Sequence, residues 1–344
     1  MMGRNANRRD GLWAVLIVAA LHSPARAEPA ADFYAGKTIT LIIGSGVGGS
    51  YDSGGRLVAQ YLKRYIPGNP TVVPQNMPGA SSVRAAEYVF NVAARDGTAL
   101  GFVQPTVVLN KVLDPNAKYD PRRLTWIGRL QRMIFVGVGW HDAPARSVEE
   151  AREKEIVIAG NAATGAGVMV PWALNALTGT KFKVVRGYES AAANLLALQR
   201  GEVQGIGSTG LADILSHPEL LDKKLVNLLY VIDTVRAPRI SDVPAIVEFG
   251  NSEDDRKILA LLGNPSSIGQ AVMAPPNVPE DRAAALRQAF AEMLQDPQFI
   301  ADAKKREIDV NMLGGPDLHN LVTENFSVSP NLVERLKAIT SPPR

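Results

Sequence analysis

The sequence predicts an α/β protein of two units, each a mainly parallel sheet flanked by helices. From residue 37 to residue 103, short apolar runs alternate with amphipathic segments, which is the pattern of a parallel sheet covered by helices. The same alternation starts again near residue 134, and each unit has an early glycine-rich loop between a strand and a helix. A chain of 344 residues is long enough for two such units.

The elements of the first unit follow from hydrophobic periodicity and turn residues. Strands are predicted over residues 37–43, 71–73 and 99–103, where the chain is apolar. One helix is predicted over residues 51–65, and a Pro- and Gly-rich turn ends it. A second helix is predicted from the turn at residues 76–82 to about residue 92.

The second unit repeats this alternation. Strands are predicted over residues 134–138, 155–159, 183–185, 203–206 and 227–232, and helices over residues 147–154, 168–177 and 191–199. The first of these helices begins with Ser147 and has Glu150 three residues later, which is a capping box. A further strand is expected at residues 263–274 and a long helix at 280–294. Closing helices at 297–306, 316–323 and 331–339 are expected to pack on the first unit.

These elements divide the chain into a leader and two domains. Residues 1–27 are predicted to be a signal peptide, residues 28–126 and 266–344 domain 1, and residues 127–265 domain 2. The linkers between the domains are expected near residues 126–132 and 263–267.

The first 27 residues have the three parts of a secretory signal peptide. The start is positive, residues 12–21 are apolar but too few to span a membrane, and Ala-Arg-Ala at 25–27 fits a cleavage site. The Arg8-Arg9 pair also fits a twin-arginine signal, but Asp10 and Gly11 follow it, so general secretion is favoured. A lipid anchor is excluded because the chain has no Cys. We therefore expect the mature chain in the periplasm.

Composition excludes several classes of function. After residue 27 the chain has 33 basic and 33 acidic residues, so its net charge gives no case for binding nucleic acid or an anionic membrane. The absence of Cys excludes thiolate metal sites, thiol catalysis and disulfides. The three histidines beyond the leader lack metal-ligand spacing, and no nucleophile elbow or catalytic pair of acids is found. The sequence therefore predicts no catalytic residue, no metal and no cofactor.

The most informative segment is the glycine loop of the first unit, GSGVGG at residues 44–49. Open backbone N–H groups and the positive end of the following helix make such a loop a seat for a small anion. The loop also fits G-x-G-x-x-G, but a dinucleotide fold needs an acidic residue after the next strand, and residues 72–76 have none. A tight turn that binds nothing is a further alternative.

Side chains beside this loop are candidates for contacts with a ligand. Asp52 can cap the helix or accept a hydrogen bond from a ligand, and the two roles can coexist. Ser50 and Tyr51 can donate to a ligand oxygen.

A second glycine loop, residues 161–167, follows a strand of the second unit. The Thr164 hydroxyl and the amides of residues 165–167 can hold the other end of a ligand, although an ordinary strand-to-helix turn has the same sequence features. Two units that each offer a glycine loop are how a cleft-binding receptor is built.

Several short motifs occur together in an order that is typical of one family. They are YAGKTITLII at 34–43, GGSYD at 48–52, GRL at 55–57, VVPQNMPGA at 72–80, RDGTAL at 95–100, DVPA at 242–245 and MAPPNVP at 273–279. With these motifs the sequence resembles the solute receptors of tripartite tricarboxylate transporters, the Bug-type receptors. The resemblance covers essentially the whole mature chain.

The resemblance implies a two-domain periplasmic binding fold, type II-like, with the ligand cleft between the domains. It also implies a monomeric receptor that captures a small organic carboxylate by hinge closure, without chemistry, and delivers it to a two-component membrane permease. By position, the residues expected at the ligand are Ser45, Gly46, Val47, Gly48, Gly49, Ser50, Tyr51, Asp52, Gly79, Ala80, Ser81, Gln104, Thr106, Asn161, Thr164, Gly165, Ala166, Gly167, Arg186 and Ser208.

The sequence departs from the family pattern at three places. VMVP at 168–171 replaces Ser-Pro-x-His, RGYES at 186–190 replaces Pro-Tyr-Lys-Gly-Ser, and the Asp usual near Ser208 is absent. These departures indicate a divergent branch, so the identity of the ligand does not follow from the family. Arg186 is a candidate partner for a carboxylate by its charge and position only. A sensory receptor that acts on a membrane kinase, and an exported enzyme on the same scaffold, are the alternatives.

Overall fold

The computed structural model describes residues 29–160, 165–188 and 191–341. The predicted signal peptide, Asn161 and Thr164 lie outside these ranges. The strands in the described part of the chain are β1 (Thr38–Ile43), β2 (Thr71–Asn76), β3 (Ala99–Val103), β4 (Thr125–Gln131), β5 (Phe135–Trp140), β6 (Ile156–Gly160), β7 (Phe182–Arg186), β8 (Gly205–Gly210), β9 (Val226–Val231), β10 (Gln270–Ala274) and β11 (Leu313–Gly314).

The α-helices of the same ranges connect these strands or close the chain. They are α1 (Ala30–Tyr34), α2 (Ser50–Leu62), α3 (Val83–Asn91), α4 (Thr106–Leu113), α5 (Glu150–Glu153), α6 (Ala166–Thr178), α7 (Ala191–Gln199), α8 (Leu211–Leu215), α9 (Pro218–Asp222), α10 (Glu253–Ile268), α11 (Glu280–Met293), α12 (Pro297–Lys305), α13 (Gly315–Glu324) and α14 (Pro330–Ile339).

The strands form two sheets, which confirms the predicted α/β architecture. The first sheet has the order β11-β4-β10-β3-β1-β2, and the second has the order β7-β6-β8-β5-β9. In the first sheet β1 runs parallel to β2 and β3, and in the second β6 runs parallel to β7 and β8.

Each sheet also contains a strand that runs against its neighbours. The chain leaves the first sheet after β4 and enters the second as β5, which is antiparallel to β8 and β9. It returns to the first sheet as β10, which is antiparallel to β3 and β4. Each sheet is therefore mixed. In each sheet, the first strand reached after the chain crosses over is antiparallel to both of its neighbours.

Helices cover both faces of the first sheet. On one face Ile39 and Leu41 of β1 pack in a cluster with residues of α2, α11 and α12. On the other face Ile42 packs in a cluster with residues of α3, α4 and α13. Because β1 is covered on both faces, its sequence is a nearly continuous apolar run, as in a parallel strand of an α/β fold.

The second sheet is covered in the same way. Ile156 and Ile158 of β6 share a cluster with residues of α6, α10 and α14, and Val136 and Ile206 share another with residues of α7 and α8. The helix α14 therefore contributes Leu332 and Leu336 to the core of the second sheet. The last helix was expected to pack on the first unit, and it contacts α4 of that unit as well as α6 of the second.

One predicted strand is a helix over half of its length. Residues 263–268 belong to α10, and the strand β10 begins only at Gln270. A capping box of Ser252 and Asp255 starts α10, and Gly269, with φ +64°, ends it. The helix accommodates Pro265 near its end, in the segment that was predicted to be the start of a strand.

Candidate ligand-binding cleft

A cleft of about 370 Å³ lies between the two sheets. Its lining residues come from the segments that follow β3 and β6 and from the end of β8, so the cleft sits at the carboxyl ends of parallel strands. Ligands of open α/β sheets bind at this edge, because the loops and helix N-termini there are free to face a crevice.

The first wall is built around the start of α2. Ser50 and Tyr51, the first two residues of that helix, line the cleft together with Gln104 and Thr106. The buried Tyr51 hydroxyl donates to the Gly269 carbonyl at 3.4 Å, and burial raises the pKa of this phenol, which therefore stays neutral. The Thr106 Oγ1 is buried and has no hydrogen-bond partner within the described part of the chain.

The turn before α3 presents Ser81 to the same cleft. Ala80, Ser81 and Ser82 all have positive φ, of 45°, 50° and 71°, a conformation that non-glycine residues adopt at a cost of about 1–3 kcal/mol each. Ser82 holds the turn, since its Oγ donates to the Gly44 carbonyl at 2.6 Å and accepts from the Gln104 amide at 3.1 Å. The turn therefore ties the end of β1 to the end of β3.

The glycine loop of residues 44–49 is held from inside by Asp52. This carboxylate accepts hydrogen bonds from the Gly48 amide at 2.9 Å, from Arg56 Nε at 2.9 Å and from Asn76 Nδ2 at 2.8 Å. The hydrogen bond from Arg56, with those from Gly48 and Asn76, lowers the pKa of Asp52 to about 2. Asp52 is buried, and it does not line the cleft.

The second wall is built on β8 and the start of α6. Gly165, Ala166 and Gly167 line the cleft with Ser208. The two elements touch closely, because a Cβ at Gly207 would lie only 2.1 Å from the Gly167 carbonyl oxygen. Position 207 therefore requires a residue without a side chain for β8 to pack this closely against the start of α6.

Apolar side chains cover the rest of the surface. They belong to α4, to the crossover into β5, and to α6 and α10, and the main ones are Leu109, Met133, Phe135, Met169, Leu262 and Pro265. Such a mixture of a few polar groups and an apolar wall is typical of a small-molecule site.

The structure brings together only part of the predicted site. Of the residues predicted at the ligand, those that line the cleft are Ser50, Tyr51, Ser81, Gln104, Thr106, Gly165, Ala166, Gly167 and Ser208. Those that the structure places elsewhere are Ser45, Gly46, Val47, Gly48, Gly49, Asp52, Gly79, Ala80 and Arg186. Asn161 and Thr164 lie outside the described residues.

Two of these displaced residues have other contacts. The Gly48 amide, expected to face an anion, is occupied by Asp52. The exposed Arg186 guanidinium lies over the Trp172 ring, 5.8 Å from its centroid, and neither residue lines the cleft.

Other lining residues were not predicted. Asn194 of α7, Thr209, Gly210 and Asp213 around the end of β8, and Ser266 of α10 all line the cleft. Asp213 could have been proposed from the sequence, because it comes shortly after a predicted strand of the second unit. The two glycine loops follow predicted strands in the same way.

The residues that the structure describes contain neither a candidate metal site nor a membrane-spanning helix. Within residues 29–160, 165–188 and 191–341, no group of three or more acidic or histidine side chains could hold a metal ion. In the same ranges, none of the helices has the length and apolarity that crossing a membrane requires.

The sequence from residue 56 to residue 337 matches the model of the tripartite tricarboxylate transporter family receptors, TctC. The chain belongs to this receptor family. No curated protein sequence matches it.

Several solved structures have a similar fold. A TctC solute-binding protein from Polaromonas is 18% identical, with a TM-score of 0.66 over 87% of this chain and 98% of the other. The MatC protein of Rhodopseudomonas palustris with bound malate is 21% identical, with a TM-score of 0.62 over 89% and 99%. An R. palustris protein with adipate is 22% identical, with a TM-score of 0.63 over 88% and 97%. These likenesses establish a two-domain binding-protein fold.

Proposed function

We propose that this chain is a periplasmic receptor that binds a small organic carboxylate in the cleft and carries it to the membrane permease of a tripartite transporter. The main observation behind this proposal is that two long helices, α2 and α6, begin at the cleft. Neither helix has a capping side chain. Membership of the receptor family and the acids bound by two of the similar structures, malate and adipate, support it. The receptor binds its ligand and does not transform it.

The helix N-termini provide the seat for a carboxylate. α2 and α6 each have 13 residues, and their N-cap residues, Gly49 and Gly165, offer no side chain to the first amides. The amides of Ser50 and Ala166, the first residues of these helices, have no acceptor among the described residues and lie at the positive ends of two helix dipoles. An anion in the cleft receives both, which is how helices bind small anions elsewhere.

Hydroxyl groups add to this seat. Ser81, Thr106 and Ser208 line the cleft between the two helix starts. The buried Thr106 Oγ1, which has no partner in the described chain, becomes satisfied when a ligand oxygen or an ordered water reaches it.

The proposed closing motion takes place where the chain passes between the sheets. These places are residues 132–134, between β4 and β5, and Gly269, between α10 and β10. The two domains rotate about these short segments and exclude water from the ligand, as in other hinge-closing receptors. The limits predicted from the sequence, at residues 126–127 and 265–266, assign most of β4 to domain 2. Because β4 pairs with β10 in the first sheet, we place the limits at these two crossings instead.

Replacing Ala166 by Pro tests the carboxylate seat, because proline removes the N–H of the first helical residue. Gly165 has φ −87° and ψ 151°, which suits a residue before proline, and proline is favoured at this helix position. Loss of a hydrogen bond to a charged group costs about 1.5–3 kcal/mol. We expect Ala166→Pro to bind its acid about tenfold or more weakly, measured by calorimetry after a thermal-shift screen of carboxylic acids has found one.

The matched control is Glu253→Pro, at the first position of α10 and away from the cleft. It should leave the affinity unchanged. Equal affinities of wild type and Ala166→Pro would contradict the carboxylate seat, and a chain that none of the acids stabilises would contradict the proposed ligand class.

A further inference from the structure

The charge of the cleft is unusual for a site that receives an acid. Among its described lining residues, Asp213 is the one charged side chain. Among the described residues that line the cleft, no side chain is positively charged. Within this lining, the favourable potential for an anion comes from the starts of α2 and α6.

Asp213 has an oxygen available for a ligand. Its Oδ2 accepts from the Gly210 amide at 3.2 Å and lies 3.5 Å from the Thr209 hydroxyl. Both contacts fix the carboxylate at the start of α8. Within the described residues Oδ1 has no hydrogen-bond donor, and the side chain is exposed along the cleft.

Arginines lie near the cleft but do not line it. They line an adjoining gap that shares Ser50, Met133, Phe135, Gly210 and Asp213 with the cleft. In that gap Arg132 donates to both oxygens of Asp233 at 2.8 Å, and Arg306 donates to the Ser53 carbonyl at 3.2 Å. Arg239 belongs to the same gap and not to the cleft. A second carboxylate confined to the cleft therefore meets Asp213 without a guanidinium to balance it.

We propose that the receptor takes an acid with one carboxylate and one ammonium group, joined by a hydrocarbon segment, and that Asp213 selects the ammonium. This inference rests on the carboxylate seat of the proposed function. In it the carboxylate occupies the starts of α2 and α6, the hydrocarbon lies on Leu109, Met133 and Phe135, and the ammonium donates to Asp213 Oδ1. Two carboxylates in the same space bring like charges together at Asp213.

Three acids with the same four-methylene chain test this selection. 5-Aminopentanoate ends in an ammonium group, hexanoate in a methyl group and adipate in a second carboxylate. We expect calorimetry of the wild-type protein to give the tightest binding for 5-aminopentanoate. Its affinity should exceed that of adipate by about tenfold or more, since an ion pair in a half-enclosed cleft is only partly screened by water.

Asp213→Asn separates the role of charge from that of shape. The amide oxygen still accepts from Gly210, so the variant should melt close to the wild type, and the advantage of the amino acid over adipate should fall below about threefold. The control Asp222→Asn removes an exposed charge from α9 outside the cleft and should keep the wild-type preference.

The outcomes distinguish the two proposals. If adipate binds the wild type as tightly as 5-aminopentanoate, or if Asp213→Asn keeps the preference, the selection by Asp213 is wrong and the carboxylate receptor stands. If the wild type binds an amine without a carboxylate, such as pentylamine, as well as it binds 5-aminopentanoate, the carboxylate seat itself is wrong.

Discussion

At the scale of single residues, the position of a carboxylate decides whether it builds the site or meets the ligand. Asp52 and Asp213 both stand near the start of a helix. The first is 4% exposed and accepts from a backbone amide, an amide side chain and a guanidinium. The second lies on the surface of the cleft with one oxygen open. The structure therefore assigns the internal support of the glycine loop to Asp52.

Asp52→Asn should destabilise the protein. The new amide nitrogen would face a donor, either the Gly48 N–H or Arg56, and one of the buried hydrogen bonds would be lost. We expect a loss of about 2 kcal/mol in the free energy of unfolding at pH 7, measured by urea denaturation. Ser53→Ala, one residue further along α2, is the control and should unfold close to the wild type.

The pH dependence of this difference has a definite sign. The pKa of Asp52 falls from 3.8 to about 2 on folding, so its contribution to stability is present above pH 3.8 and is lost as the pH falls towards 2. The gap between wild type and Asp52→Asn should therefore narrow between about pH 4 and pH 2. A gap that stays constant over this range would show that the charge of Asp52 is not the stabilising feature.

Sequence reasoning placed Asp52 beside the glycine loop but not its partners. Asn76 stands 24 residues away and reaches Asp52 only because β1 and β2 lie side by side. The position of Asp213 on the cleft was equally hard to predict, since it depends on how β8 faces the start of α6. Local patterns identify such residues as candidates, and only the packing of distant segments shows which way each side chain faces.

At the scale of elements, the first glycine loop acts mainly as a close-packed connection. A Cβ at Gly44 would lie 2.5 Å from Ser82 Oγ, whereas a Cβ at Gly46 would meet nothing within 4 Å. The loop therefore needs a glycine where it contacts the strained turn of residues 80–82, and the open part of the loop lies outside the cleft.

The pair Gly44→Ala and Gly46→Ala tests this division. Gly44→Ala should cost about 1–3 kcal/mol in stability, because Ser82 must move and the turn that presents Ser81 moves with it. It should also weaken binding of the acid found by the screen. Gly46→Ala should change neither quantity, and thermal melts with and without ligand measure both. A loss of affinity in Gly46→Ala would show that the open part of the loop contributes to the binding site.

Strands and helices with a clear hydrophobic pattern were predicted well, and those without such a pattern were not. The buried runs of β1 and β3 and the amphipathic α2 were found within a few residues of their observed limits. The strand β4 lies where a linker was expected, and Arg129 and Gln131 interrupt its apolar pattern. Both side chains are buried, and hydrogen bonds compensate for the burial of their polar groups. Arg129 donates to the Asn311 carbonyl at 3.0 Å, and Gln131 donates to Gln270 at 3.0 Å. Their hydrogen-bond partners come from distant segments, which a local pattern does not reveal.

At the scale of the whole molecule, the two crossings between the sheets are joined by one buried carboxylate. Asp233, 3% exposed, accepts from Arg132 at 2.8 Å, from Ser267 Oγ at 3.1 Å and from the Thr234 amide at 2.7 Å. Arg132 lies at the first crossing, and Ser267 lies two residues before the second. This network therefore sets the starting geometry of any closing motion.

Asp233→Asn should weaken this connection. Arg132 would keep its charge and lose its partner, so we expect a loss of about 2 kcal/mol in stability and a change of the radius of gyration in small-angle X-ray scattering without ligand. Glu248→Gln, which breaks the exposed pair with Arg236, is the control and should change neither quantity measurably. An unchanged radius of gyration with reduced stability would mean that the network supports the fold but not the angle between the domains.

The place of β10 in the first sheet has a consequence for the order in which the protein can fold. β10 lies between β3 and β4, yet every strand of the second sheet is made before it. A chain growing from its N-terminus therefore carries an unfinished first sheet, with the edges of β3 and β4 unpaired, until residue 274 has been added. All strands of the second sheet have been added by residue 231, so the sheet that begins last is the first whose strands are all present, whereas its covering helices α10 and α14 follow later.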